Sequence, residues 1–132
     1  MIDMDWEKAS DVKKDVAEIV SVLKLGHIQK DRLFIYRTRG SKARAYARTW
    51  GFPKIFQDAL QVRPAYVIEV LAKYYDHLSS DEKKKILIHE LLHIPKNFSG
   101  ALLPHRTRHR KMHSVVNQLF KEYKKKTNDL SF

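Results

Sequence analysis

The sequence predicts a single small α+β domain over residues 1–132, with helices packed on a small β-sheet. Apolar residues recur at helical spacing over roughly residues 5–24 and predict an amphipathic first helix within the N-terminal residues 1–31. Residues 65–70 are rich in β-branched side chains and predict a strand, and residues 33–36 predict a second, shorter one. Helical and strand signals therefore alternate along a chain whose length suits one domain.

The C-terminal half is predicted to be mainly helical. Ser79 and Glu82 form a capping-box pattern, which predicts a helix that runs to about Ile94, before Pro95 disfavours its continuation. A final helix is predicted over roughly residues 105–125. Weaker signals predict two short helices and a frayed tail, over residues 53–60, 71–78 and 124–132.

The composition excludes several kinds of site. The chain contains no cysteine, so disulfide scaffolds and cysteine nucleophiles are excluded, and any metal must be held by histidine or carboxylate side chains. Acids and lysines interrupt the N-terminal segment, which lacks the apolar core of a signal peptide. No apolar run approaches the ~20 residues that span a bilayer. We therefore expect a cytoplasmic protein with no membrane partner.

The charge is positive and unevenly distributed. The net charge is +11, and two segments carry most of it. Residues 32–64 hold 8 Lys and Arg against 1 acidic residue, and residues 96–132 hold 9 against 2, which gives +7 in each segment. This pattern is typical of proteins that bind polyanions, although a solvated basic surface without a specific partner fits the charge equally well.

One motif carries recognisable chemistry, His89-Glu90-Leu91-Leu92-His93. Histidines four residues apart lie on one helix face, so His89 and His93 can bind a single Zn²⁺ ion as cofactor, one per chain. Glu90, rotated by about 100° from His89, can hold a zinc-bound water and act as the catalytic base without ligating the metal. The composition predicts only about 0.02 chance occurrences of this pattern.

The alternative is that these two histidines and the glutamate are satisfied polar residues of the core, or lie on a surface helix. From Ile86 onward the predicted helix is apolar on every side except at these positions, and this pattern predicts burial. Burying such residues is costly without a metal or full hydrogen bonding. The metal-site interpretation is therefore favoured.

A catalytic zinc site needs a third protein ligand. His105, His109 and His113 follow at intervals of four, so all three could lie on one side of the last helix. We favour His105, because Pro104 fixes the backbone just ahead of it. His109 is the alternative ligand, one turn deeper on the same face, whereas the apolar neighbours of His113 indicate helix packing.

The layout resembles the SprT-like zincin metallopeptidases, and also small metallopeptidase families with the same His-Glu-Leu-Leu-His motif. The likeness covers roughly residues 33–120 and rests on that motif and on Pro104-His105, where the family has a histidine at the start of a final helix. The resemblance implies a zincin-like domain with an active-site helix, and His105 as third ligand. It also implies an association with DNA-bound protein substrates. Arg106 departs from the family pattern, which usually has glycine there, and a cysteine-rich zinc ribbon is missing.

The basic segments predict a face that binds DNA or RNA. Its phosphate contacts would come from Arg37, Arg39, Lys42, Arg44, Arg48, Arg106, Arg108 and Arg110. Tyr46 and Trp50 are interleaved with these residues and could stack on unpaired bases. The alternative is a solvated basic surface with its aromatic residues in the core, because no recognised nucleic-acid-binding motif is present.

These patterns together predict a zinc metallopeptidase that hydrolyses peptide bonds in protein or peptide substrates, including proteins associated with nucleic acid. A substrate could add to the sheet edge as an extra strand, for which Tyr66–Val70 is the predicted edge. Two alternatives stay open, a nucleic-acid-binding protein with a structural site of four histidines, and an inactive zincin scaffold. The intact Glu90 argues against the scaffold, and a site with three protein ligands would argue against structural zinc.

Overall fold

The computed structural model describes residues 4–105 and 111–129. Within these ranges, four strands and five α-helices follow one another, which confirms the predicted α+β class. Their bounds are β1 (Asp5–Lys8), α1 (Ser10–Val22), β2 (Leu33–Arg39), β3 (Ala47–Trp50), α2 (Lys54–Leu60), β4 (Tyr66–Leu71), α3 (Ala72–Tyr75), α4 (Ser80–Leu91) and α5 (Met112–Asp129).

The strands form one mixed sheet in the order β1-β2-β4-β3. β2 and β4 are parallel, with Leu33 opposite Tyr66 and Thr38 opposite Leu71, and the two outer strands pair antiparallel with them. β4 is therefore an interior strand, and the prediction that Tyr66–Val70 forms the free edge is wrong. Its run of buried apolar residues is typical of a strand that is paired on both sides. The edges are the shorter strands β1 and β3.

The N-terminal segment begins as a strand rather than as a helix. β1 pairs with β2, and α1 begins only at Ser10, whereas the apolar periodicity predicts a helix from about residue 5. Strand pairing satisfies the backbone of these exposed residues, so tertiary context overrides the local pattern. From Ser10 onward the predicted helix is confirmed, because Val12, Val16 and Ile19 are buried on one side of it.

The core lies between one face of the sheet and the helices α1, α4 and α5. Ile35, Ile68 and Val70 point from the sheet into this core. These three side chains share the core with buried apolar side chains of α1 and α4, namely Val12, Ile19, Leu87, Ile88 and Leu91. Each such side chain contributes about 1.5–3 kcal/mol when fully buried, so α4 is held firmly against the sheet.

The capping box predicted at the start of α4 is confirmed. The Ser79 hydroxyl accepts a hydrogen bond from the backbone N–H of Glu82, whose carboxylate accepts one from the N–H of Ser79. The helix ends at Leu91, earlier than the sequence predicts. His93 lies in the tight turn that follows, where its N–H donates to the carbonyl of Glu90 at 3.1 Å.

The last helix, α5, extends through part of the segment that is predicted to fray. Val116 and Tyr123 are buried on its inner side, and Lys124 pairs with Asp81 of α4 at 3.3 Å. The helix itself continues to Asp129. None of the helices in the described ranges is long and apolar enough to cross a membrane.

Candidate metal centre and active-site cleft

Three histidines converge at one point, although they come from three different segments. His89 lies on α4, His93 in the turn after it and His105 in the loop beyond. One ring nitrogen from each lies within 4.8 Å of the others, the single such cluster in the described part of the chain. Two ligands on one tetrahedral zinc are separated by roughly 3.3 Å, since each Zn–N bond is about 2.0–2.1 Å. The cluster can therefore hold a metal ion.

His93 is held in place by the backbone of Leu103. The N–H of Leu103 donates to the carbonyl of His93 at 2.7 Å, and His93 Nδ1 lies 2.6 Å from the carbonyl oxygen of Leu103. A carbonyl only accepts, so we assign the proton to Nδ1, which leaves a lone pair on Nε2. Metal-binding histidines are commonly oriented in this way. The same pairing brings His105, two residues further on, to the end of α4.

His89 is uncharged at neutral pH. Burial lowers its pKa, and the neighbouring His93 and His105 lower it further, from 6.5 to about 4. The ring therefore carries the free lone pair that a metal ligand needs. A donor set of three imidazoles without thiolate or carboxylate suits a divalent transition metal.

Glu90 lies beside the histidine cluster without belonging to it. Its carboxylate is buried, and Oε1 accepts a hydrogen bond from the hydroxyl of Thr49 at 2.9 Å, while Oε2 lies 3.9 Å from His89 Nε2. Burial raises the pKa of Glu90, while the hydrogen bond from Thr49 and the nearby His93 and His105 lower it, so that the net shift is upward. A carboxylate with a raised pKa is a better base near neutral pH than an exposed glutamate.

A cleft of about 540 Å³ opens in front of Glu90, His93 and His105. Ala45 and strand β3 form one wall, and the loop that leads to His105 forms the other. The strand side contributes Ala45, Ala47 and Thr49, and the loop side contributes Leu102, Leu103 and Pro104. The cleft is therefore apolar along most of its length and polar at the histidine cluster.

The edge strand β3 presents free backbone groups to this cleft. The N–H of Leu71 donates to the carbonyl of Tyr46, so the hydrogen-bonded pairs with β4 fall at residues 46, 48 and 50. The N–H and C=O groups of Ala47 and Thr49 consequently point away from β4. No backbone group elsewhere in the described ranges pairs with them.

Two glycines fix the loop wall against the end of β3. The N–H of Phe52 donates to the carbonyl of Gly100 at 2.8 Å. A Cβ atom on Gly51 would lie 2.4 Å from the oxygen of Gly100, and a Cβ on Gly100 would lie 2.3 Å from the oxygen of Phe52. Gly100 also has φ of +97°, which side chains disfavour. The strand and the loop can approach this closely only because neither residue has a side chain.

The other predicted ligands lie apart from the cluster or outside the described residues. His113 is exposed on α5, where its Nε2 lies 3.2 Å from Asn117 Nδ2. His109 falls outside the described residues. The described chain therefore brings together the two motif histidines and His105, the residue favoured as third ligand.

The residues predicted to contact phosphates do not form one patch within the described chain. Three are ion-paired, Arg37 with Asp11 and Asp76, Arg39 with Glu7, and Arg48 with Glu69. Arg37 is in register with Val70 and Arg48 with Glu69. Because successive residues of a strand point to opposite faces, Arg37 and Arg48 lie on opposite faces of the sheet. Lys42 and Arg44 are exposed in the loop before β3, and Arg106, Arg108 and Arg110 lie outside the described residues.

Two residues of the site, Thr49 and Leu103, are not marked by the sequence. Thr49 lies on an edge strand of four residues with no alternating pattern, so no local signal marks it. Leu103 acts through its backbone, which any residue type could supply.

The domain is therefore of the small α+β class, with helices that cover a mixed sheet and a histidine cluster able to hold a metal. The chain matches the family model described as "Putative phage metallopeptidase" over residues 4–124. The chain therefore belongs to that family, in agreement with the metallopeptidase class predicted from the motif. Comparison with curated proteins and with solved structures gives no match.

Proposed function

We propose that this protein is a zinc-dependent metallopeptidase that hydrolyses peptide bonds in protein or peptide substrates. The observation that carries the proposal is the convergence of His89, His93 and His105 beside the buried carboxylate of Glu90. Membership of a metallopeptidase family supports the same conclusion. The three histidines would hold Zn²⁺, and Glu90 would be the catalytic base.

Three imidazole ligands suit zinc and leave a fourth position open, as catalytic sites do. When bound, the metal polarises the scissile carbonyl and lowers the pKa of a water molecule. Glu90 accepts a proton from the attacking water and passes it to the leaving amine, and its raised pKa favours the first transfer near neutral pH. Thr49 keeps Oε1 of Glu90 in position through both transfers, because its hydroxyl donates to that oxygen.

The substrate would bind as an extra strand along β3. Ala47 and Thr49 offer their N–H and C=O groups to the cleft, and pairing with them would give affinity that does not depend on substrate side chains. Leu102 and Leu103, exposed on the opposite wall, offer apolar contacts to substrate side chains. A strand bound in this way passes directly in front of Glu90.

Among metallopeptidases we propose a SprT-like enzyme, because an active-site helix is followed by Pro104-His105 as in that family. By the same resemblance, its substrates would include proteins associated with nucleic acid, and the net charge of +11 supports this choice. A structural zinc site would need a fourth protein ligand. The described residues bring three histidines together, which favours the open, catalytic type of site.

Hydrolysis of an unfolded, fluorescently labelled protein such as casein tests the proposal. The zinc-loaded chain should release the label, EDTA should stop the release, and added zinc should restore it. The double variant His89→Ala/His93→Ala, purified in the same way, controls for a contaminating protease. Hydrolysis that survives EDTA or the double substitution, or no hydrolysis by the zinc-loaded chain, would contradict the proposal.

A further inference from the structure

The sheet has a second face, opposite the helices, that we call the outer face. By strand register it consists of ten residues in three rows: Phe34, Val67 and Trp50; Lys8, Tyr36, Glu69 and Arg48; and Trp6, Thr38 and Leu71. Residues within a row are about 4.8 Å apart and successive rows about 6.6 Å apart. The outer face is therefore a regular grid of side chains.

Aromatic side chains dominate the exposed part of the outer face. Trp6 is 58% exposed, Trp50 52% and Phe34 41%, and Tyr36 lies half-buried among them. Two adjacent grooves of about 540 and 350 Å³ run between these rings, and both are lined by Trp50 and Val67. Exposed apolar surface that is concentrated in this way marks an interaction site.

The exposed polar part of the outer face is cationic. Its one carboxylate, Glu69, is only 4% exposed and accepts hydrogen bonds from Thr38, from Arg48 Nε at 2.7 Å and from Trp50 Nε1 at 2.8 Å. The guanidinium of Arg48 also lies 5.1 Å from the centre of the Trp50 ring. Lys8 is exposed and makes no ion pair with any residue that the structure describes. The face thus presents aromatic rings and positive charge, without exposed negative charge.

We infer that the outer face binds single-stranded nucleic acid. Unpaired bases stack on exposed aromatic rings, and phosphates pair with cations such as Lys8. Sheets of four strands that present aromatic side chains to unpaired bases are one way in which proteins bind RNA. Of the residues predicted to bind nucleic acid from sequence, Arg48 and Trp50 lie on this face. The others named here, Trp6, Phe34, Tyr36 and Lys8, are assigned by the structure.

Charge and ring geometry favour single-stranded nucleic acid over two other possible partners, a second copy of the chain and an acidic peptide. A second copy of the chain would carry the same net charge of +11, and the repulsion between two such copies opposes that contact. An acidic peptide would match the charge but would leave the aromatic rings without flat partners. A single strand of nucleic acid supplies both anions and stacking surfaces.

Fluorescence anisotropy with a labelled oligothymidylate of about 16 nucleotides tests this inference on the zinc-loaded full chain. Binding at low salt should weaken as salt rises, because bound phosphates release counterions. The variant Trp6→Ala/Phe34→Ala should bind at least about 10-fold more weakly. The matched control Ile55→Ala/Phe56→Ala removes one aliphatic and one aromatic side chain that are also exposed, on α2, and should bind like the wild type.

A second variant, Trp6→Leu/Phe34→Leu, keeps the apolar character of both positions and should show the same loss if stacking is the cause. Three results would overturn the inference: no oligonucleotide binding at low salt, equal binding by wild type and both outer-face variants, or binding of poly-glutamate but not of the oligonucleotide. The readout is binding alone, so failure of the peptidase proposal would leave this test unaffected.

Discussion

The hydroxyl of Thr49 lies 2.9 Å from a carboxylate oxygen of Glu90 and 3.2 Å from the backbone carbonyl of the same residue. This contact joins the edge strand β3 to α4, the helix that carries Glu90 and His89. The strand proposed to bind substrate therefore also orients the proposed base. A change at Thr49 should be visible in catalysis without loss of the metal.

The variant Thr49→Val keeps the shape of the side chain and removes its hydroxyl. The hydrogen bond from Thr49 lowers the pKa of Glu90, so its loss should raise that pKa further. The base must be deprotonated to act, and the acidic limb of the pH–rate profile should therefore move to higher pH. We expect kcat/KM to fall by about 10-fold at neutral pH, the scale of one lost hydrogen bond to a charged group.

Thr49→Ser keeps a hydroxyl and is the matched control, with a profile close to that of the wild type. Zinc content should be the same in all three proteins, because Thr49 is not a ligand. An unshifted acidic limb in Thr49→Val would show that this contact does not tune Glu90.

The third ligand can be identified by metal analysis of single histidine variants. We expect His105→Ala to lose most of its zinc, because only two imidazoles would remain in the cluster. His113→Ala removes an exposed histidine that lies on α5 and should keep about one zinc per chain. His109→Ala should also keep it. Full retention in His105→Ala together with loss in His109→Ala would assign the ligand to His109 instead.

The histidine motif and its helix were predictable from sequence because their signals are local. The capping box at Ser79 and the histidine spacing each lie within one helical segment. The edge strands β1 and β3 carried no such signal, since each has only four residues and no buried alternation. Their positions depend on pairing with β2 and β4, and strand pairing is a tertiary effect. The contact between Thr49 and Glu90 therefore could not be predicted from the sequence. The same holds for the strand that forms the free edge of the sheet.

The buried carboxylate of Glu69 should stabilise the strand that carries Thr49. It accepts hydrogen bonds from Arg48 and Trp50, the two residues that flank Thr49. Burial alone would raise its pKa, but these bonds and that from Thr38 lower it overall. We expect Glu69→Gln to reduce the free energy of unfolding by about 1–3 kcal/mol at neutral pH, measured by urea denaturation.

The pH dependence of this effect has a definite sign. A carboxyl group with a lowered folded-state pKa contributes its stability above its unfolded pKa, about 4.3 for Glu, and loses it as pH falls through the folded pKa. The stability difference between wild type and Glu69→Gln should therefore shrink below about pH 4. Glu7→Gln, which breaks the exposed pair with Arg39, is the control and should change stability by less than about 0.5 kcal/mol. A Glu69 effect no larger than that of Glu7 would refute the stabilising role.

The most direct test of the proposed mechanism is to measure zinc content and peptide hydrolysis together in Glu90→Gln. The substitution keeps the size and hydrogen-bonding capacity of the side chain and removes its basicity, and Glu90 is not among the clustered ligands. We predict about one zinc per chain, as in the wild type, with hydrolysis reduced at least ~100-fold, the scale of general-base catalysis. Hydrolysis at the wild-type rate by zinc-loaded Glu90→Gln would contradict the assignment of Glu90 as the base.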